Sequence, residues 1–528
     1  MKFTRSIILI IFLFCYTELL AQTTSPEITW QLPLGGTAND EARSMAYTPD
    51  GGIIVAGYTA SNDLGFNEPY ELADYWIIKF DADHTIQWQT IIGGNGTDWA
   101  RNIINTADGG YLVVGYSESG DGLVGVNHGE FDYWVVKLDA NGEVKWKKSF
   151  GGSAIDNAYA ACQTSDGGFL VVGFSKSNDG DVTGNHGKKD IWLIKISSRG
   201  QLKWQRSLGG GKDEEPSSIV ATPDGNYLIT GYTASTAGDL IGETNKGGWD
   251  YWVLKVNNLG EILSQNTFGG SNEDAARWGI PTSDGGYIVS GYTHSSNGDV
   301  TGNHGSADYW LVKLNSSLNL VWQKCYGGSG YDYAYYISKT SQDHYLMTGL
   351  SDSWNGDVTN NYGLSDIWTL ETNSTGEIIW EKSLGGSGED VGRTIVKTPE
   401  GTYLQTGYTS SDDGDVVINY GLSDAWIVTL SECDPCKLNE ESSEITINQL
   451  QVSPNPTSGH FQIIVPGNSF NQEAEVTLLT MQGQEMYSTK STLPTIQCNL
   501  PLLSDGIYMI RVKTYEKYYT SMLIVKRN

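Results

Sequence analysis

Cysteine is scarce in this chain, with six in 528 residues. One of them, Cys15, lies in an apolar leader, and the remaining five are Cys162, Cys325, Cys433, Cys436 and Cys498. An odd number excludes a complete disulfide framework. Positive charge is also short: 33 Lys and Arg stand against 62 Asp and Glu, a formal net charge of −29. A nucleic acid would be repelled by that surface, so no nucleic-acid partner is expected. Beyond residue 20 there is no apolar run long enough to cross a bilayer, so no transmembrane segment is expected. Charged residues are only 18%, with 64 glycines and 17 tryptophans. That mixture excludes a helical protein and favours short strands joined by tight turns. No HExxH, phosphate loop or Ser-His-Asp order occurs.

What is present starts with "MKFTRSIILIIFLFCYTELLAQ". Lys2 and Arg5 make a basic start, Ile7 to Tyr16 an apolar stretch, and Ala21 a small cleavage residue. This predicts a signal peptide over 1–21, cut before Gln22. Phe14 before Cys15 is too bulky for a lipoprotein cleavage box.

The rest is periodic. A Gly-Gly pair opens each unit at Gly35, Gly93, Gly151, Gly209, Gly269, Gly327 and Gly385, a spacing of 58 residues with one interval of 60. In the third unit, "NAYAACQT", "FLVVGFS", "DIWLIKIS" and "LKWQRSL" are four β-rich runs separated by "SDGG", a long polar loop and "SRGQ". Four short strands per unit is the pattern of a propeller blade, and stacked units cover each other's faces. A tryptophan recurs in the third strand at Trp76, Trp134, Trp192, Trp252, Trp310, Trp368 and Trp426. The seventh unit lacks its fourth strand, while "ITWQLPL", Ile28 to Leu34, matches "LKWQRSL". The expected fold is all-β: a seven-bladed β-propeller over 28–430, closed by the N-terminal strand, which leaves no free sheet edge. A linker over 431–444 follows, holding "CDPC", and then a small C-terminal β-sandwich over 445–528. For Cys433 and Cys436 a local disulfide, a zinc site and a redox pair all stay open.

"GGSGEDVGRTIVKTPEGTYLQTGYTSS" and "GGSAIDNAYAACQTSDGGFLVVGFSKS" resemble the bacterial seven-bladed propeller repeat called SBBP. That resemblance implies a fold and little about activity. The tail resembles the type A C-terminal sorting domain of the Bacteroidetes type IX secretion system. The matching residues are Pro454, Asn455, Pro456, Thr457, Ser458 and Gly459, then Gly483, then Gly506, Ile507 and Tyr508, with a basic end at Lys526 and Arg527. The resemblance implies export, contact with the type IX machinery, removal of the tail, and release or attachment at the cell surface.

Candidate functional residues lie on one rim. "SNDGDVTGNHGKKDIW" (177–192) recurs as "SSNGDVTGNHGSADYW" (295–310), and both loops should crowd onto the face that carries the Gly-Gly connections. The rim is rich in carboxylates. Asp181, Asp190, Asp299 and Asp308 are candidate calcium ligands, calcium being the one cofactor considered. The competing reading is that an aspartate two residues before each tryptophan pins its own loop through backbone N–H groups. His128, His186 and His304 share one loop position with Tyr362 and Tyr420, which suits packing better than metal binding. Trp249, Trp99 and Trp278 fall outside the repeating pattern and form the candidate ligand rim. No singular catalytic constellation stands out. The expected function is a non-enzymatic glycan- or protein-binding module. The alternatives are an extracellular polysaccharide hydrolase or lyase, and a structural scaffold.

Overall fold

The computed structural model describes residues 25–64, 72–240, 245–340 and 343–432, and most of 450–526. The leader and the CDPC linker lie outside the described residues. Among the described residues every regular element is a strand, and no helix is long and apolar enough to cross a membrane.

Residues 27–431 form four-stranded antiparallel sheets, one per repeat, in a propeller-like array. The third sheet is typical: Asp156–Gln163, Phe169–Ser175, Asp190–Ile196 and Leu202–Leu208, in that order. The second and third strands are buried along their whole length, while the innermost and outermost strands are buried only in part. Each sheet is therefore sandwiched on both faces, which explains near-continuous apolar runs such as "FLVVGF". The clusters cross sheets: Leu112 and Val114 of one pack with Val171 and Trp192 of the next.

The sheet holding residues 390–431 has only three strands of its own, and the N-terminal strand Glu27–Leu34 pairs antiparallel with Asp424–Ser431. The register equates it with an ordinary fourth strand. Trp192 Nε1 donates to Gln205 Oε1 at 2.8 Å, thirteen residues on; Trp426 Nε1 donates to Gln31 Oε1 at 3.0 Å. Each inner strand lies against the next, and the last, Asp390–Lys397, lies against the first, Asp40–Tyr47.

Recurrent polar bonds stitch neighbouring sheets. Tyr133 donates to Trp192 O at 2.7 Å, and Tyr75, Tyr251 and Tyr309 do the same one sheet along. A Cβ on Gly173 would run into the Asn157 carbonyl oxygen of the neighbouring strand, with the Tyr133 hydroxyl at 2.7 Å, which is why that strand carries glycine. At the other end of the first five sheets a lysine, Lys79, Lys137, Lys195, Lys255 or Lys313, reaches the turn aspartate. Lys195 meets Asp166 at 2.8 Å, and that ammonium, with the Thr164 hydroxyl, holds the Asp166 carboxyl down at about 2. In the sixth sheet Glu371 replaces the lysine and takes His344 and the Trp380 indole as partners.

The tail is a separate pair of sheets. Gln451–Ser453, His460–Ile464 and Thr495–Asn499 form one; Glu485–Ser491, Ala474–Thr480, Gly506–Lys513 and Tyr518–Val525 form the other. Phe461, Ile463, Val476, Leu478, Ile510 and Leu523 fill the space between them.

Candidate functional site: the rim junctions and the central cavity

At each junction between sheets two buried aspartates face one glycine. Asp132 opens the third strand of one sheet and Asp156 the first strand of the next, and both are fully buried. Asp156 Oδ2 accepts from Gly152 N at 2.7 Å and Ser177 Oγ at 2.8 Å; Asp132 Oδ2 accepts from His128 N and Nδ1, both at 2.7 Å. The pattern recurs, with Glu214 taking the Asp156 role in the fourth sheet and Tyr362 N and Tyr420 N standing for His128 N later on. A Cβ on Gly151 would collide with Asp132 Oδ1 and lie 2.8 Å from Asp156 Oδ2. The Gly-Gly pair is therefore a clearance requirement for two carboxylates.

The remaining oxygen of most of these aspartates, Asp132 Oδ1 and Asp156 Oδ1 among them, is buried without a hydrogen-bond partner. Burial pushes their carboxyl groups up. Burial and then the neighbouring Asp98 raise Asp74 to about 8, and burial takes Asp366 and Asp424 to about 7.

Of the four candidate calcium ligands, Asp181 and Asp190 belong to different junctions, as do Asp299 and Asp308. Asp181 Oδ2 accepts from Gly151 N, at the junction of Asp132 and Asp156, whereas Asp190 belongs to the next junction, facing Glu214. Asp299 likewise accepts from Gly269 N beside Asp250 and Asp274, one junction before Asp308. The loop folds back onto the preceding connection, so sequence neighbours are split between successive junctions. Among the described residues no group of three or more His, Cys, Asp or Glu is arranged to hold a metal ion.

The centre of the array carries different chemistry. Each inner strand has a β-bulge after its third residue: the pairing skips Arg43 between Ala42 and Ser44, Arg101 between Ala100 and Asn102, Arg277 between Ala276 and Trp278, and Arg393 between Gly392 and Thr394. A bulged residue is released from the ladder and re-aimed. Here the bulged side chains, with Tyr159, Ser217 and Tyr335 in the other three sheets, line a cavity of about 270 Å³. All the charged residues of its wall are arginines. Residues 27–431 contain six arginines, and four of them are here.

These cations are unevenly compensated: burial works against Arg43 and Arg277, but Glu41 and nearby tyrosines hold Arg43, and tyrosines and Glu215 hold Arg277, above the ordinary value. Arg43 pairs with Glu41 at 2.5 Å, and Glu41 also accepts from Tyr58 OH. Arg277 reaches Tyr292 OH at 3.4 Å, Arg101 lies over the Tyr159 ring at 4.7 Å, and Arg393 over Tyr335 at 4.4 Å. Arg43 Nε, Arg277 Nε and Arg393 Nε are buried without an acceptor. Burial, then the charge of Arg43, pulls the Arg393 guanidinium below its ordinary value.

Between the arginines and the rim lies an aromatic collar. Trp99 stacks on Tyr58, centroids 4.7 Å apart and planes 5° apart; Trp249 stacks on Tyr232 at 4.5 Å and 20°. Tyr292, Tyr333 and His294 continue it. Two expected rim tryptophans, Trp99 and Trp249, thus join the collar, while Trp278 sits deeper, in the cavity wall against Tyr336 at 4.8 Å. The sequence reading missed the arginines. Their signal was one repeat column, reading Arg, Arg, Tyr, Ser, Arg, Tyr, Arg, basic in an acidic array.

In the tail, Pro454, Asn455, Pro456 and Gly459 lie outside the described residues. Thr457 ties that motif to the last strand through Thr457 N to Ile524 O at 2.8 Å and Lys526 N to Thr457 O at 2.9 Å. Gly506 begins the strand that carries Tyr508, whose hydroxyl bonds Ser504 O at 3.0 Å.

Part of the chain is similar to the regulatory protein FlaEY of Caulobacter vibrioides, 24% identical over 196 residues, covering 33% of this chain and 20% of that one. The chain thus matches about a fifth of that relative's length. Among solved structures it is similar to a puromycin hydrolase mutant complexed with PGG, at 14% identity and a TM-score of 0.37, covering 70% of this chain and 50% of that one. It is also similar to the PQQ-bound aldose sugar dehydrogenase of Streptomyces coelicolor, at 12% and 0.34, covering 77% and 98%. Likenesses at this level say nothing about chemistry. The family model for the secretion system C-terminal sorting domain matches residues 451–526. The chain therefore ends in a type IX secretion system sorting domain, carried behind a propeller-like array, and is cargo of that system, destined for secretion or the cell surface.

Proposed function

We propose that residues 28–430 are a seven-bladed propeller closed by the N-terminal strand, and that the mature protein is a non-enzymatic module binding an extracellular glycan or protein through the mouth of its central cavity. On this reading the signal peptide and sorting domain are removed during export. The observation that carries the binding role is the aromatic collar. Trp99 and Trp249, each stacked on a buried tyrosine, Tyr58 and Tyr232, are the partly exposed rings that offer flat apolar faces beside polar groups at one opening. Such faces suit sugar rings, which have an apolar side and a hydroxyl edge. The rim carboxylates support a binding role over catalysis, because they repeat around the array and are occupied in holding loops.

A glycan array probed with the mature protein tests this, followed by incubation of each bound glycan and analysis of products. Binding without cleavage is expected, weakened by Trp99→Ala. Release of shortened product would overturn the non-enzymatic assignment, and binding that ignores Trp99→Ala would remove the collar from the account.

A further inference from the structure

We infer that the central cavity is an anion site, and that the glycan it takes is acidic, bearing carboxylate or sulfate groups. This rests on the proposed binding role for its glycan part, and on the cavity's own chemistry for its anionic part.

Four guanidinium groups converge on about 270 Å³, in a chain whose formal charge is −29. Surface arginines in an acidic protein find carboxylates easily, yet among the described residues no ion pair reaches Arg101, Arg277 or Arg393. Glu41 and Glu215, carboxylates beside the collar, are engaged already, Glu41 by Arg43 and Tyr58 and Glu215 by Lys189 and Tyr159. A buried cation is disfavoured unless it is paired. Three buried Nε–H donors without acceptors add to that cost. Tyrosine rings relieve part of it through their faces, as with Arg393 over Tyr335. What would relieve the rest is a group with several acceptor oxygens and negative charge. The guanidinium fork fits carboxylate, sulfate and phosphate geometry in pairs of bonds.

The position favours a saccharide chain over a free ion. The cavity lies beneath the aromatic collar, so a sugar ring stacked at Trp99 or Trp249 would direct its acidic substituent inward. At about 270 Å³ the cavity is at the small end of ligand sites, enough for one residue or a chain end. The bulge is what makes the geometry work. It turns the fourth residue of each inner strand out of the ladder while Ser44 stays behind to accept from Asn102 Nδ2 at 3.1 Å.

The test is equilibrium binding of the mature protein to four probes: a uronic-acid oligosaccharide, a sulfated oligosaccharide, a neutral oligosaccharide of equal length, and free citrate. Wild type is compared with Arg277→Met and Arg393→Met, which keep the apolar stem, and with Arg206→Gln, outside the cavity. Melting temperature and circular dichroism check that each variant is folded. Removing one bidentate, charge-assisted hydrogen-bond pair should weaken acidic-probe binding about 10- to 100-fold. Affinity should also fall as salt rises. The uronate and sulfate arms decide which acid is preferred. Equal binding of neutral and acidic probes, unchanged in Arg393→Met, would overturn the anion site and leave the glycan role standing. Citrate binding abolished in the Met variants, with no oligosaccharide bound, would keep the anion site and overturn the glycan role. Binding of none of the four overturns both. If both Met variants fail to fold, the wild-type salt dependence and the acidic-to-neutral ratio decide alone.

Discussion

If the N-terminal strand is the fourth strand of the last blade, its removal must open the ring. Consider deletion of residues 27–34 from the mature protein. The strand pairs with Asp424–Ser431 from Glu27↔Ser431 to Leu34↔Ala425. Leu34 is fully buried, and Ile28, Trp30 and Leu32 are partly buried. Removing a core leucine side chain alone costs about 2–5 kcal/mol. The three partly buried side chains add roughly 2–4 kcal/mol at about half the value of full burial. Trp426 Nε1 loses Gln31 in a buried setting, and Asp415 O loses the Gln31 amide, about 1 kcal/mol each. The Lys382–Glu27 ion pair adds little, since Glu27 is 59% exposed. The sum, on the order of 6–11 kcal/mol, rivals the whole stability of an ordinary domain. The deleted protein should therefore melt well below the intact one, and the newly bared edge of Asp424–Ser431 should promote association. Calorimetry with light scattering reads both. A graded series should follow, with Leu34→Ala losing about 2–5 kcal/mol and Gln31→Ala about 1–2 kcal/mol by denaturant titration. A deletion that melts within about 2 °C of the intact protein, and stays monomeric, would refute the closure.

Three further outcomes follow from the junctions and packing. Gly151→Ala should cost about 2–4 kcal/mol by denaturant titration, because its Cβ displaces carboxylates that together hold Gly152 N, Ser177 Oγ and His128. Thermal stability should fall as pH rises from about 5 to 9. Burial raises Asp366 and Asp424 to about 7 and Asp74 to about 8 in the folded protein, so the folded state holds protons that the unfolded state releases near pH 4; this stabilisation is full below pH 4 and is lost as pH passes 7 to 8. A melting temperature that climbs over that range would contradict the buried carboxylate pairs. Lys147→Gln should stabilise by about 1 kcal/mol, seen as a raised denaturation midpoint. Trp134 Nε1 is buried without an acceptor, while the equivalent Gln205, Gln265 and Gln323 accept from Trp192, Trp252 and Trp310.

The repeats made much of the architecture legible. Gly-Gly at fixed spacing, an aspartate two residues before each tryptophan, and "ITWQLPL" standing where a fourth strand was missing all follow from one unit being reused. The same uniformity hid the site. Asp181 and Asp190 are close in sequence, and only the fold-back of the loop assigns them to successive junctions. Arg43, Arg101, Arg277 and Arg393 were hidden for another reason. Strand alternation predicts which face a residue takes only while the ladder is regular, and a bulge after the third residue breaks that rule without a local signature. Trp99 and Trp249 were found because they broke the repeat. Tyr58 and Tyr232, their stacking partners, were not found because they belong to it.

The most direct measurement is a crystal structure of the mature protein with the strongest acidic oligosaccharide bound. The account predicts an acidic group held by at least two of Arg43, Arg101, Arg277 and Arg393, with a sugar ring against the Trp99 or Trp249 face. A ligand seated on the outer loops, with the central cavity unchanged, would contradict it.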